Sequence, residues 1–141
     1  MFSSFDPVHG RGRELARIDR DRGSVDFANW WALSPDGSRV AIAGAKGVHI
    51  LNLSSRAIQL LLASEQGNLI EHVAWWRGGK LLFVTEHRRK STLISLDVAG
   101  RSQVLKQSDG FLGVPVPSPD GKYLGFNKAD EESNVWLIEN F

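Results

Sequence analysis

Four histidines, His9, His49, His72 and His87, have the widest chemical reach in this 141-residue sequence. A neutral imidazole can ligate a metal or pass a proton near neutral pH. Metal ligation from one element asks for spacings such as His-x-x-x-His or His-Glu-x-x-His, which put two rings on one face. No pair here has such a spacing. His72 follows Glu71, and a carboxylate beside an imidazole is the least that acid–base chemistry requires. Asp130, Glu131 and Glu132 run together in what reads as a solvated loop. Asp19, Asp21 and Asp26 faintly resemble a calcium loop, but Arg20 and Arg22 lie between them and no glutamate closes it. There is no Gly-x-Ser-x-Gly elbow and no glycine-rich phosphate loop. The absence of cysteine removes thiolate nucleophiles, disulfides and cysteine zinc sites. The expectation is a chain with no catalytic residues, no metal and no cofactor.

Cationic and aromatic residues point to binding instead. Arginines gather at Arg11, Arg13, Arg17, Arg20 and Arg22, and again at Arg88, Arg89 with Lys90. No aromatics interleave with them and the formal net charge is +1, so they read as a charged rim rather than a nucleic-acid or membrane surface. Trp30 and Trp31 form one pair, Trp75 and Trp76 another. Neighbours on a strand point to opposite faces, so one of each pair is expected in the core and the other free to meet a ligand. Hydrophobic residues make up 42%, enough for a packed core. No apolar run approaches the roughly 18 residues of a membrane helix. Met1 to Arg13 lacks the apolar middle of a signal peptide, so a cytoplasmic location is expected.

The elements that position these residues come from a repeat. Ser34-Pro35-Asp36-Gly37, Trp76-Arg77-Gly78-Gly79 and Ser118-Pro119-Asp120-Gly121 place Gly37, Gly79 and Gly121 at steps of 42 residues. Proline presets the second turn position, aspartate suits the third, and glycine accepts the positive φ of the fourth. Before each turn lies a short apolar strand (29–33, 72–75, 113–117) and after it an alternating one (39–42, 81–84, 123–126). Polar segments 43–47, 86–91 and 128–133 then read as variable loops. Third strands follow at 48–53, 92–96 and 135–138, and fourth strands at 56–62 and 101–106. Four short strands per 42 residues is the period of a β-propeller blade. A β-sandwich with similar turns would not need such equal spacing.

The segments Leu33 to Ser38, Trp75 to Lys80 and Pro117 to Lys122 resemble the Trp-Ser-Pro-Asp-Gly-Lys hairpin of TolB-type, WD-repeat-like propeller repeats. The resemblance covers nearly the whole chain and implies fold more than function, because such repeats serve translocation proteins, peptidases and bacterial signalling proteins alike. Residues 133–141 resemble the end of a C-terminal propeller region in bacterial multidomain signalling proteins. The expected architecture is all-β, three four-stranded antiparallel blades: 25–63, 69–107 and 111–141, the last lacking its outer strand. Residues 2–18 read as strands C and D of a preceding blade. Because closed rings have about four to eight blades, three imply a half-propeller. Residues 12–18 are then expected to complete a six-bladed ring, in a homodimer or in a longer chain.

Strand directions put the loops before each first strand on one face with the variable loops after each second strand. That face gathers Trp30, Glu71, His72, Arg88 and Arg89, the residues expected to bind a protein or small ligand. The expected function is a non-catalytic binding or scaffolding module. The rival is the propeller part of a hydrolase or peptidase, with Glu71 and His72 lining its site.

Overall fold

The computed structural model of the chain describes residues 2–5, 8–10, 12–16, 28–65 and 68–129. Among them there is no α-helix, and the only helical element is one 3₁₀ turn, Arg77–Gly79. Two sheets are complete four-stranded antiparallel meanders. The first runs β3 (Ala28–Leu33), β4 (Arg39–Gly44), β5 (Gly47–Asn52) and β6 (Ile58–Ala63). The second runs β7 (Leu69–Trp75), β8 (Leu81–His87), β9 (Lys90–Leu96) and β10 (Ser102–Asp109). Ahead of them β1 (Phe2–Phe5) and β2 (Gly12–Ala16) form a hairpin with Phe5 opposite Gly12.

A third sheet begins in pieces. β11 (Phe111–Leu112) pairs with β14 (Lys128–Ala129), and β12 (Val116–Pro117) with β13 (Leu124–Gly125). The break between β11 and β12 falls at Pro115, which has no N–H to give the ladder. Gly113 N–H still donates to the Asn127 carbonyl at 2.9 Å, so the two halves stay in line. The third strand expected at 135–138 lies outside the described residues, as do Asp19, Asp21, Asp26 and Asp130 to Glu132.

Burial shows how the sheets stack. Val40 to Ala43 on β4 and Leu81 to Val84 on β8 are continuously buried, so both faces of these strands are covered. Ala41, Ala43, Val48 and Ile50 of the first sheet pack on Ile70, Val73, Trp75, Leu81, Phe83 and Leu96 of the second. The second sheet's other face, through Val84 and Leu93, packs on Leu112 and Leu124 of the third. The sheets therefore follow one another in series. Ala41 and Ala43 make room on the first sheet for the larger Trp75 and Phe83 of the second. β7 touches β3 and β4 on one side and β12 on the other, while every residue of β10 from Ser102 to Gln107 is exposed. First strands thus converge inward and fourth strands form the outside.

The two Ser-Pro-Asp-Gly turns are built alike by their own side chains. Asp36 Oδ1 accepts from the Ser34 hydroxyl at 2.5 Å, the Ser38 N–H at 3.0 Å and the Ser38 hydroxyl at 2.9 Å. Ser34 Oγ in turn accepts from Arg39 N–H at 2.9 Å. Asp120 repeats this with Ser118 at 2.6 Å and Lys122 N–H at 3.0 Å. These donors favour the charged carboxylate. The Ser34 hydroxyl, then the Ser38 donors, hold Asp36 at about 2 against an ordinary 3.8. Asp120 is lowered by the same arrangement, Ser118 first. A carboxyl whose folded pKa is depressed contributes stability above its unfolded pKa and loses it as pH falls through the folded one. The protein is accordingly expected to lose stability between about pH 4 and pH 2. An Asp36→Asn/Asp120→Asn variant should be less stable at pH 7 and show a shallower acid slope in urea unfolding followed by circular dichroism.

The connections after each second strand differ from expectation. Residues 43–47 and 86–91 are not variable loops: Ala43 and Gly44 belong to β4, and Glu86 and His87 to β8. Only Ala45–Lys46 and Arg88–Arg89 turn the chain. Arg88 and Arg89 have φ of 50° and 64°, the double left-handed form of a two-residue hairpin. The ladder does not require apolar side chains, so Thr85, Glu86 and His87 pair onward with Thr92, Ser91 and Lys90. In the third sheet Lys128–Ala129 likewise remain strand.

Candidate functional site

His72 owes its position to a break in the register of β7. Glu71 lies opposite Val84 and Val73 opposite Phe83, leaving His72 as the extra residue of a β-bulge. Its φ is +53°, a left-handed conformation that histidine enters more readily than most residues with a Cβ. A bulge re-aims a side chain out of the usual alternation. Here it turns the imidazole into the junction between sheets, where the residue is 6% exposed. A second register shift falls at the same end of β3, between Ala28 and Trp30.

Three successive first strands each contribute one ring. The His72 ring lies 4.1 Å from that of Trp30, tilted by 59°, and 6.0 Å from that of Phe111, edge-on at 80°. Glu71 Oε2 stands 4.0 Å from His72 Nε2, the reach of an ion pair but not of a hydrogen bond. The buried Nδ1 has no hydrogen-bond partner among the described residues. Burial pushes the His72 pKa below its usual 6.5, and the charge on Glu71 opposes that only in part. The ring is therefore neutral at pH 7, an acceptor at one nitrogen and a donor at the other.

No protein-family model matches this sequence, and no curated protein does. Solved structures do. Regucalcin from Agrobacterium tumefaciens, a calcium-binding protein, superposes with a TM-score of 0.53 at 19% identity, over 70% of this chain and 35% of its own. Oligogalacturonate lyase in complex with manganese superposes with a TM-score of 0.60 at 15% identity, over 89% of this chain and 35% of its own. Both are β-propellers. This chain has the fold of a β-propeller segment. It spans about a third of the length of each of these propellers, and at such identities the likeness speaks to fold alone.

In propeller terms, β3, β7 and the β11–β12 line are inner strands, and the ring cluster sits where three blades meet at one end of them. The sequence expectation placed Trp30, Glu71 and His72 together, and the structure brings them together. Arg88 and Arg89 form an exposed turn at the same end, tied in by Gly110 N–H donating to the Arg89 carbonyl at 2.9 Å. They stand outside the ring cluster. Phe111 was not anticipated, because a step of 42 from His72 arrives at Val114; the break at Pro115 shifts the third inner strand.

The second tryptophan pair serves the blade junctions on both sides. Trp75 is buried, and its indole N–H donates to the Ala32 carbonyl of the first blade at 2.9 Å. Trp76 donates to the Gly121 carbonyl of the third at 3.2 Å. Trp31 is exposed. His49 is buried on β5, while His9 and His87 are exposed. Among the described residues no three histidine, aspartate or glutamate side chains converge as a metal site would require. No helix of the described residues is long and apolar enough to cross a membrane.

Proposed function

We propose that this chain is a non-catalytic binding module of the TolB-type, WD-repeat-like kind, taking its ligand where Trp30, Glu71 and His72 meet. The observation that carries this reading is the His72 imidazole: buried, held in a left-handed bulge, and leaving Nδ1 without a hydrogen bond among the described residues. Backbone strain and unsatisfied buried polar atoms concentrate at functional sites. The exposed Trp30 ring offers a flat apolar surface beside them. A ligand with an aromatic or sugar-like plane and one hydrogen-bonding group fits that chemistry. Arg88 and Arg89, on the adjoining turn, would meet its charged part. In this reading the outer strand at residues 12–18 joins a second copy or the remaining blades of a longer chain.

Protein-observed NMR with a library of small planar heterocycles tests the site. Binders are expected to shift the Trp30 indole and His72 imidazole signals and to lose that effect in Trp30→Ala and His72→Asn. Shifts confined to other surfaces would remove the proposal. Turnover of ester, glycoside or peptide substrates by the parent, absent in a Glu71→Gln/His72→Ala variant, would make the rival hydrolase reading correct.

A further inference from the structure

The opposite end of the inner strands, where the three hairpin turns gather, holds a recess of about 480 Å³. Its walls come from Ser34 to Asp36 of the first blade, Trp75 to Gly79 of the second, and Pro117 to Pro119 with Gly121 of the third. Arg39 and Arg77 also line it. Each guanidinium stacks on an indole: Arg39 Cζ lies 4.9 Å from the centre of the Trp75 ring, and Arg77 Cζ 4.9 Å from that of Trp76. The Arg39 head lies near Gly79 of the following blade, and the Arg77 stem lies against Gly121. A Cβ on Gly79 would sit 3.9 Å from Arg39 Nη2, and one on Gly121 only 2.7 Å from Arg77 Cβ. The two cations are thus each held beside a flat ring.

Their hydrogen-bonding capacity is not used within the described residues. Neither guanidinium donates a side-chain hydrogen bond or forms an ion pair there. The carboxylate that belongs to this end of the first blade, Asp36, is engaged by Ser34 and Ser38 and reaches Arg39 only through space. A guanidinium presents five N–H donors in a planar fork that matches a carboxylate or a phosphate with two parallel bonds. Two such forks, pre-oriented by stacking, cost little ordering when a ligand arrives. The volume falls within the roughly 300–1,000 Å³ of small-molecule sites.

We propose that this recess binds a small multivalent oxyanion, its carboxylates or phosphate taken by Arg39 and Arg77. The site is distinct from the ring cluster around His72 and does not depend on it. The sequence hid it because Arg39 and Arg77 are far apart in the chain and neither belongs to a basic run.

Citrate and inorganic phosphate are the probes, titrated at constant ionic strength against a chloride control and read by tryptophan fluorescence and calorimetry. Saturable binding is expected for at least one. Tighter binding of citrate assigns a polycarboxylate, and of phosphate a phosphorylated ligand. Arg77→Gln and Arg39→Gln should each weaken it about tenfold or more, equivalent to about 1.4 kcal/mol. Arg77→Lys, which keeps the charge without the fork, should also weaken it, and His72→Asn should leave it unchanged. Circular dichroism checks that the variants are folded; Arg77 is exposed, so its substitution spares the core even if Arg39→Gln does not. No saturation by either probe up to about 10 mM, an affinity too weak to be specific, overturns the proposal. So does binding that both glutamine variants retain.

Discussion

Trp75→Ala is expected to cost about 3–5 kcal/mol, the usual range for truncating a buried aromatic. Such a loss is a large part of the roughly 5–15 kcal/mol that holds a domain folded. Trp75 is 7% exposed and packs within the cluster joining the first blade to the second. Its indole also satisfies the Ala32 carbonyl at 2.9 Å, and Arg39 covers one face of the ring. Alanine would leave a cavity between blades, an unpaired half-buried carbonyl and a displaced guanidinium. Trp75→Phe keeps most of the packing and loses the hydrogen bond, so about 1–2 kcal/mol is expected. Tyr123, at 75% exposed, is the control, and Tyr123→Ala should stay within about 0.5 kcal/mol. Urea unfolding followed by far-ultraviolet circular dichroism measures all three. An alanine variant as stable as the parent would mean that the junction between the first two blades is not a core.

What could be read from the sequence was what residues decide locally. The Ser-Pro-Asp-Gly turns were legible because Asp36 and Asp120 bond to their own neighbours, whatever packs around them. Trp30, Glu71 and His72 were legible as neighbours because alternating strand directions put the starts of the first strands on one face. What could not be read depended on a partner strand or sheet. The second strands at 39–42 and 81–84 read as alternating, yet Val40–Ala43 and Leu81–Val84 are buried without a break because neighbouring sheets cover both faces. The bulge at His72 is a property of register with β8, and histidine carries no turn signal. The segments 43–47 and 86–91 read as loops from their polarity, yet their backbone pairing continues nearly to the turn. Phe111 escaped because Pro115 breaks the repeat. Arg39 and Arg77 escaped because only the folded turns bring them to one recess.

The conformation of His72 leads to the second large effect. His72→Val is expected to destabilise by about 3 kcal/mol, because a β-branched residue is forced into a left-handed bulge at about 1–3 kcal/mol and the packing of the ring on Trp30 and Phe111 is lost as well. His72→Asn, a residue that accepts positive φ, should cost about 1 kcal/mol, chiefly the lost ring contacts. The ordering of the two variants matters more than either value: equal costs would mean that packing alone, not the bulge, places the imidazole. The same ring sets a pH dependence. Its folded pKa lies below the unfolded 6.5, with burial as the main cause and Glu71 as the opposing charge. The unfolded chain therefore binds the proton more readily, and stability falls as pH drops through 6.5 toward the folded value. Denaturation midpoints measured from pH 8 to pH 5 should show this decline in the parent and a flatter profile in His72→Asn. A ligand that donates a hydrogen bond to the neutral ring would deepen the decline, since it binds only the form that protonation removes, so the slope itself becomes a readout of occupancy at this end of the propeller.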